Sequence, residues 1–348
     1  MYRLQLLPSL VALGLAVICA QAHHHWGPPR FESLVTFGDS YTDDSRLNYF
    51  ISHNNSAPPV GWVQPENPNS ATGGYTWGHF VAQSAKVIRY NYAVSGASCS
   101  HQITSRWNPL TNAPFPSVLE YQIPAFLADS HHTSPDGDPF LNIPSPSTVY
   151  AIWVGTNDLG IYAFLTDSQV PGKTIPDYID CVFNALDPVY RNGGRYFVIM
   201  NNAPAQLAPM YANKHSVFWP DKPENDTLER YRMWEQVVLV NEVMEYRTAV
   251  EARVKARYPG AEFAVMDIYG LLSDIYHHPG EYFHSQAPAN VTGYIHHCDA
   301  GGQNCIRLEN EDSFMWFDES HPSQRTEQII AEEFVGVVRG ESKWASYW

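Results

Sequence analysis

Charged side chains are scarce in this sequence, and cations are the scarcer kind. Of the 348 residues 16% are charged, with 21 lysines and arginines against 36 aspartates and glutamates, for a net charge of -15. Nucleic acids and anionic membrane surfaces are normally bound through basic patches. The composition therefore disfavours both as partners and favours a neutral small molecule or oligosaccharide.

Long apolar runs are also lacking. The apolar stretch Leu6 to Ala20 falls short of the roughly 20 residues that a membrane-spanning helix needs, which argues against a membrane anchor. This stretch follows Arg3 and ends in Ala20-Gln21-Ala22, which is the charged, apolar and small-residue order of a secretory signal peptide. We therefore predict that residues 1–22 are a cleaved signal peptide and that residues 23–348 are secreted.

Cysteine is rare, with five in the chain, and none beyond the predicted signal peptide stands in the CxxC spacing of common zinc sites. Cys19 leaves with the signal peptide. An oxidising compartment favours disulfides, and four remaining cysteines allow three pairings. Cys298 and Cys305 are close enough in sequence to close a small glycine-rich loop, which leaves Cys99 and Cys181 as the other pair, and a zinc site is the lesser alternative.

Secretion also gives meaning to three Asn-x-Ser/Thr sequences. They begin at Asn54, Asn225 and Asn290. In a secreted protein such sequences accept N-linked glycans and lie on exposed loops. Each is a candidate glycosylation site.

Apolar periodicity predicts an α/β fold. Hydrophobic residues make up 44% of the chain, which is enough for a substantial core. Five short segments are almost continuously apolar, as strands buried on both faces are: 34–37, 87–94, 148–154, 196–200 and 263–268. Segments with helical patterning lie between them: 75–85, 118–128, 176–190 and 227–258, the last ended by Pro259-Gly260.

Strands that alternate with helices predict a central parallel sheet of about five strands between two helical layers, a three-layer α/β/α sandwich. The ligand site of such a sheet lies beyond the carboxyl ends of its strands. Because the motifs described next run from Ser40 to His321, we expect residues 23–348 to form a single domain. Residues 270–315 have no clear periodicity, and we expect them to be a long, disulfide-pinned insertion near the site.

A Gly-Asp-Ser turn follows the first predicted strand. In Phe-Gly-Asp-Ser-Tyr-Thr, residues 37–42, the glycine permits a tight turn and Ser40 is placed at the carboxyl edge of the sheet. This motif is not the GxSxG elbow of the α/β-hydrolases, so that fold is disfavoured. A Gly-Asp-Ser motif taken alone more often marks a turn or a helix N-cap.

Three further motifs follow in order. Asn-Tyr-Ala-Val-Ser-Gly-Ala contains Gly96, Trp-Val-Gly-Thr-Asn-Asp contains Asn157, and Phe-Asp-Glu-Ser-His-Pro-Ser places Asp318 three residues before His321. Each has a structural alternative: a turn glycine, a loop asparagine, a solvated carboxylate or helix cap. Together with the serine motif they resemble the Ser, Gly, Asn and His blocks of the GDSL (SGNH) hydrolases, across nearly the whole mature chain. The residues within the blocks are similar to those of fungal acetyl esterases of carbohydrate esterase family sixteen.

The chemistry of ester hydrolysis explains these residue types. A serine hydroxyl is a poor nucleophile at neutral pH and needs a base within hydrogen-bonding reach. The resemblance implies that Ser40 is the nucleophile, His321 the base and Asp318 the carboxylate that fixes the histidine tautomer. It assigns the oxyanion hole to the backbone N–H groups of Ser40 and Gly96 and to the side-chain amide of Asn157. It implies no cofactor and no metal.

The resemblance thus implies a secreted, flavodoxin-like serine esterase that works through an acyl-Ser40 intermediate. Short-chain, above all acetyl, esters of carbohydrates are the expected substrates, and we expect a monomer. A secreted lipase or lysophospholipase of the same superfamily is the enzymatic alternative. A carbohydrate-binding protein that keeps the fold without turnover is the alternative of another class.

Overall fold

A six-stranded sheet forms the centre of the computed structural model, which describes residues 26–223, 227–299 and 303–348. Its strands are β1 (Ser33–Gly38), β2 (Ile88–Asn91), β3 (Thr148–Trp153), β4 (Tyr196–Met200), β5 (Glu262–Met266) and β6 (Ala345–Tyr347). Their spatial order is 2-1-3-4-5-6; the first five in the chain are parallel, and β6 is antiparallel to β5. The expected parallel sheet is present, with an antiparallel edge strand that the sequence analysis did not predict.

Helices cover both faces of the sheet. They are α1 (Arg46–Ser52), α2 (Trp77–Ala85), α3 (Ile123–Ser130), α4 (Ile175–Arg191), α5 (Thr227–Ala249), α6 (Ile268–His277) and α7 (Gln324–Val338). From β1 the chain moves to β2 in one direction along the sheet, and the later crossovers move in the opposite direction. Because all these connections are right-handed, the helix α2 between β1 and β2 lies on one face of the sheet and the helices of the later crossovers lie on the other. The contacts agree, because α2 packs against α7, whereas α4 packs against α3 and α5.

The continuous apolar runs are strands because both of their faces are covered. All six residues of β1 and all six of β3 are buried. These two strands are neighbours at the point where the strand order reverses, and at such a point the loops beyond the carboxyl ends diverge to leave a crevice. The serine and asparagine motifs follow β1 and β3, so both lie at this crevice.

Two segments differ from the sequence-based expectation. The helix predicted for residues 227–258 ends as a regular α-helix at Ala249 and continues as a π-helical turn over Val250–Val254. Residues 270–277, expected to be irregular, belong to α6, whose Leu271, Leu272 and Ile275 are fully buried. The predicted boundary between the strand 263–268 and the insertion 270–315 falls inside this helix, so its apolar pattern was divided between two segments. The rest of the segment carries two short strand pairs: Asn290–Tyr294 with Phe314–Trp316, and His296–His297 with Ile306–Arg307.

Two disulfides use the four cysteines of the predicted mature chain. Cys99 is bonded to Cys181, which ties the loop after β2 to α4, and Cys298 is bonded to Cys305 within residues 278–315. This is the pairing that the sequence favoured. The imidazole of His296 lies 3.8 Å from the Cys298 sulfur, but both sulfurs are taken by the disulfide, so the zinc alternative finds no support here.

The glycosylation candidates differ in their surroundings. Asn54 is exposed just after α1, and Asn290 is half-buried at the start of a short strand. Asn225 and the predicted signal peptide, residues 1–22, lie outside the described residues. Glycosylation at all three positions stays a prediction. Within the described ranges no helix is both long and apolar enough to cross a bilayer.

Candidate active site

The turn that carries Ser40 depends on a glycine. Gly38 ends β1 with a φ of 154°, and a Cβ atom there would lie 2.2 Å from the carbonyl oxygen of Trp153. Only glycine tolerates both this backbone conformation and this close approach. The buried side chain of Gln122 pairs with the same residue, donating to its carbonyl at 2.7 Å and accepting from its N–H at 2.9 Å. The glycine is part of the motif, whereas the glutamine had no signal in the sequence.

Ser40, His321 and Asp318 form one hydrogen-bonded chain. Nε2 of His321 lies 2.8 Å from Oγ of Ser40, and Nδ1 lies 2.9 and 2.8 Å from the two carboxylate oxygens of Asp318. The carboxylate also accepts the backbone N–H groups of Ser320 and His321, both at 2.8 Å. A carboxylate only accepts, so Nδ1 carries the proton and the Nε2 lone pair faces the serine hydroxyl. This arrangement can remove a proton from Ser40.

The basicity of His321 is set by two opposing effects. Burial by itself lowers the pKa of the imidazole, because the charged form is desolvated. The charge and the hydrogen bond of Asp318, with a further contribution from the charge of Asp39, more than offset burial, and the net pKa is raised above its ordinary value of 6.5. The site therefore stabilises the imidazolium that would form when the serine proton is taken.

Tyr41 holds the serine and histidine loops together. Its hydroxyl donates to the backbone carbonyl of Ser320 at 2.7 Å, and its buried ring meets the ring of His321 edge-on with centroids 5.7 Å apart. Residues 279 positions apart in the chain are thus joined directly beside the reacting groups. The tyrosine of the serine motif gains a structural role that the sequence analysis did not assign.

Gly96 and Asn157 line the same cavity as Ser40. Gly96 has a φ of 80°, and a Cβ there would lie 2.4 Å from the ring of Phe115, so glycine is required. Asn157 belongs to a one-turn helix, Thr156–Leu159, directly after β3, and its amide donates to the carbonyl of Ala97 at 2.9 Å. Ser40, Gly96, Asn157 and His321 all line one cavity of about 400 Å³. Four of the five predicted residues therefore meet there, with Asp318 behind the histidine.

The Gly96 loop is tied to the serine loop by a carboxylate that sequence reasoning missed. Buried Asp43 accepts the backbone N–H of Ser95 at 2.8 Å and its hydroxyl at 2.9 Å. The same carboxylate accepts the N–H groups of Ser45 and Arg46 at the start of α1, at 2.7 and 2.6 Å. One side chain thus caps a helix and fixes the distance between two motifs.

The family model of the GDSL-like lipases and acylhydrolases matches residues 34–334, from β1 into α7. The chain belongs to this family. It is 40% identical over 326 residues to an acetylesterase from Hypocrea jecorina, across 91% of this chain and 92% of that protein. It is also 22% identical to a GDSL esterase/lipase of Arabidopsis thaliana, across 87% and 88%. Among solved structures, an acetylxylan esterase from Geobacillus stearothermophilus matches 90% of this chain and 96% of its own, with 13% identity and a TM-score of 0.40. The protein is a carboxylic ester hydrolase.

Two buried carboxylates flank the motifs of this GDSL hydrolase without joining the serine–histidine chain. Burial raises the pKa of Asp39 and that of Asp158 to about 7. Asp39 accepts the backbone N–H of Tyr41 at 3.1 Å, and both oxygens of Asp158 accept the N–H of Cys99 at 3.1 Å. Both side chains therefore hold backbone turns around the serine and asparagine motifs.

The outer wall of the cavity is largely apolar and aromatic. Phe218 is 41% exposed with its ring centroid 6.3 Å from that of His321, and Tyr162 is 50% exposed. Glu319 anchors Met210, in the one-turn helix Pro209–Ala212, and Phe218, in the loop that follows. Its backbone carbonyl accepts the N–H of Met210 at 2.7 Å, and its carboxylate accepts the N–H of Phe218 at 3.2 Å. The carboxylate also accepts the hydroxyls of Ser216 and Tyr294. The histidine motif thus fixes part of the substrate wall.

Replacing Glu319 by glutamine should weaken substrate binding more than turnover. The N–H₂ group of the glutamine can pair with the Tyr294 hydroxyl, which also accepts, but the negative charge that strengthens the hydrogen bonds from Ser216 and Phe218 is lost. A hydrogen bond to a charged acceptor is stronger than one to a neutral acceptor by about 1 kcal/mol, and we expect this loss to appear as a rise in KM of about 3- to 10-fold, with kcat changed less. Steady-state kinetics on a short-chain aryl ester measures both, and exposed Glu309→Gln is the matched control. A fall in kcat at constant KM would contradict the assigned role.

Proposed function

We propose that this hydrolase is a secreted acetylesterase that removes acetyl groups from carbohydrates through an acyl-Ser40 intermediate. The observation that carries the catalytic part is the 2.8 Å contact between the Ser40 hydroxyl and Nε2 of His321, with the Asp318 carboxylate on Nδ1. The similarity to the Hypocrea jecorina acetylesterase supports the acetyl group. The two disulfides support secretion, because disulfides persist in oxidising compartments.

In the proposed mechanism the Ser40 hydroxyl attacks the ester carbonyl as His321 takes its proton. The positive charge that forms on the imidazole is stabilised by Asp318. The tetrahedral intermediate then collapses to an acyl-serine as the histidine protonates the departing alcohol. Water, activated by the same imidazole, releases acetate and restores the hydroxyl.

In this mechanism three N–H groups can donate hydrogen bonds to the oxyanion. Among the hydrogen bonds of the described residues, neither the N–H of Ser40 nor that of Gly96 has an acceptor. The amide of Asn157 uses one N–H on the carbonyl of Ala97, which leaves its second N–H for the substrate. Donors held in place before the reaction stabilise the charge that develops in the transition state.

The residues at the rim of the cavity favour an ester whose alcohol is a carbohydrate. The partly exposed rings of Tyr162 and Phe218 stand at the cavity that contains Ser40, and flat aromatic rings pack well against the apolar faces of sugars. The net charge of -15 favours a neutral substrate over an anionic one. A neutral acetylated sugar fits both features.

A substrate panel tests the proposal: p-nitrophenyl esters from acetate to octanoate, acetylated xylo-oligosaccharides and a lysophospholipid. We expect kcat/KM to fall by about 10-fold or more from acetyl to octanoyl, because small acyl pockets discriminate by this order, and we expect acetate release from the oligosaccharides. A preference for chains of eight carbons or more would favour the lipase or lysophospholipase alternative. Binding of the sugars with no hydrolysis of any ester would favour the non-catalytic alternative.

A further inference from the structure

The wall of the catalytic cavity contains a cation that belongs to none of the motifs. Arg106 lies in the loop after β2 and lines the cavity together with Ser40 and His321. Its Nη1 donates a hydrogen bond to Oδ1 of Asn157 and lies 3.4 Å from the backbone carbonyl of Gly96. One guanidinium therefore contacts two of the three residues that carry the oxyanion donors.

Among residues 26–223, 227–299 and 303–348, no carboxylate lies at contact distance from the charge of Arg106. The ion pairs of the described residues include none that involves this arginine, although the buried Asp39 and Asp158 act on it from farther away. Burial lowers the pKa of its guanidinium, but an arginine stays charged at neutral pH. The guanidinium also lies over the face of Phe115, 5.6 Å from the ring centroid. A desolvated cation beside the site favours any negative charge that appears there.

The contact with Asn157 also decides which way its amide points. An asparagine side chain can present either its oxygen or its N–H₂ group to a site, and only the N–H₂ group stabilises an oxyanion. A guanidinium has donors and no acceptor, so Arg106 binds only the oxygen. The N–H₂ group is then directed away from the guanidinium, one hydrogen onto the carbonyl of Ala97, and the flipped, repulsive orientation is disfavoured.

We propose that Arg106 is a positioning residue of the oxyanion hole: it fixes the amide of Asn157 and the Gly96 loop, and its charge stabilises the transition state through them. The inference rests on the proposed role of Ser40, Gly96 and Asn157. It adds a residue that acts on turnover and not on substrate affinity. Binding energy expressed only in the transition state raises kcat and leaves KM largely unchanged.

The test is a double-mutant cycle between Arg106→Gln and Asn157→Ala, measured on p-nitrophenyl acetate. We expect Arg106→Gln to lower kcat by about 10- to 100-fold, which is less than the loss of about 10²- to 10³-fold on removal of an oxyanion donor because the donors themselves remain, with KM within about 3-fold. In the Asn157→Ala background the same substitution should cost at least about 3-fold less than it does in the wild-type background, because the part of the effect that acts through the amide is already lost and only the part that acts through the Gly96 loop remains. Arg30→Gln, which changes an exposed arginine, is the control.

A second readout separates positioning from general loss of structure. Phenylboronic acid forms a negatively charged tetrahedral adduct with an active serine, and its inhibition constant should weaken in Arg106→Gln by a factor similar to the loss in kcat. If the glutamine variant does not fold, the cycle is run with Arg106→Lys, which keeps the charge but loses the planar fork, and the same criterion of non-additivity applies.

Three results would overturn the inference: kcat of the folded variant within about 3-fold of wild type, equal costs in the two backgrounds, or a loss confined to KM. A different result would show that the proposed function is wrong: the Ser40→Ala enzyme would retain activity. An inactive Ser40→Ala enzyme with a fully active Arg106→Gln enzyme rejects the role of the arginine alone.

Discussion

Replacing Ser40 by alanine is expected to lower kcat by about 10⁴- to 10⁶-fold, the loss seen when a serine nucleophile is removed from a catalytic triad. The hydroxyl is the only atom that the mechanism lets form a bond to the acyl group, and the remaining oxyanion donors supply only the residual rate. The fold should survive, because the side chain is half-buried and its hydroxyl hydrogen-bonds only to His321 among the contacts of the described chain. Thermal unfolding should therefore change little.

The measurement is steady-state hydrolysis of p-nitrophenyl acetate, with Ser52→Ala, which changes an exposed serine at the end of α1, as the control. An organophosphate ester should attach covalently to the wild-type enzyme at Ser40 and not to the alanine variant, as read by mass spectrometry. A Ser40→Ala enzyme that keeps more than about 1% of wild-type kcat would show that the nucleophile lies elsewhere.

Replacing Asp318 by asparagine is expected to lower kcat by about 10³- to 10⁴-fold with the geometry largely kept. The new amide would donate its N–H₂ group to Nδ1 of His321, so the imidazole proton would move to Nε2. The nitrogen that lies 2.8 Å from the serine hydroxyl could then no longer accept its proton. Asp312→Asn, which changes an exposed carboxylate, is the control.

The same substitution should also move the pH dependence of kcat/KM. In the wild-type enzyme the raised pKa of His321 places the acid limb above pH 6.5, because activity is lost as pH falls and the base becomes protonated. Loss of the Asp318 charge removes the largest of the effects that raise this pKa, so the limb should move to lower pH. Asp39, whose burial raises its pKa to about 7, titrates in the same range but is present in both enzymes. An unshifted limb would assign the titration to Asp39 and contradict the assignment to His321.

Most of the sheet could be predicted because burial on both faces leaves a local signature. The segments that became β1, β3 and β4 are short, apolar and bounded by turn residues, and the predicted and observed bounds differ by at most one residue at each end. The edge strand β6 has only three residues, all half-buried, and carries no such signature. The helix α6 was missed for another reason: the predicted boundary between the strand 263–268 and the insertion that follows falls inside it.

The residues that hold the site together were not predictable in the same way. Gln122, Asp43 and Arg106 act through hydrogen bonds to residues 84, 52 and 51 positions away. A long-range hydrogen bond imposes no periodicity and no spacing on the sequence, so its partners are recognised only when the chain has folded. Of the disulfides, Cys298–Cys305 is suggested by its short separation, whereas Cys99–Cys181 followed only by elimination.

The sequence by itself determined which residue types follow the carboxyl ends of β1 and β3. It also determined where a turn requires glycine, because the steric limits on a turn are local. Only the tertiary structure decided that Ser40 and His321, 281 positions apart, approach to 2.8 Å, and that Tyr41, Asp43, Arg106 and Glu319 fix their surroundings. Packing brings such groups together through the sum of many weak contacts, and no single stretch of chain encodes that sum.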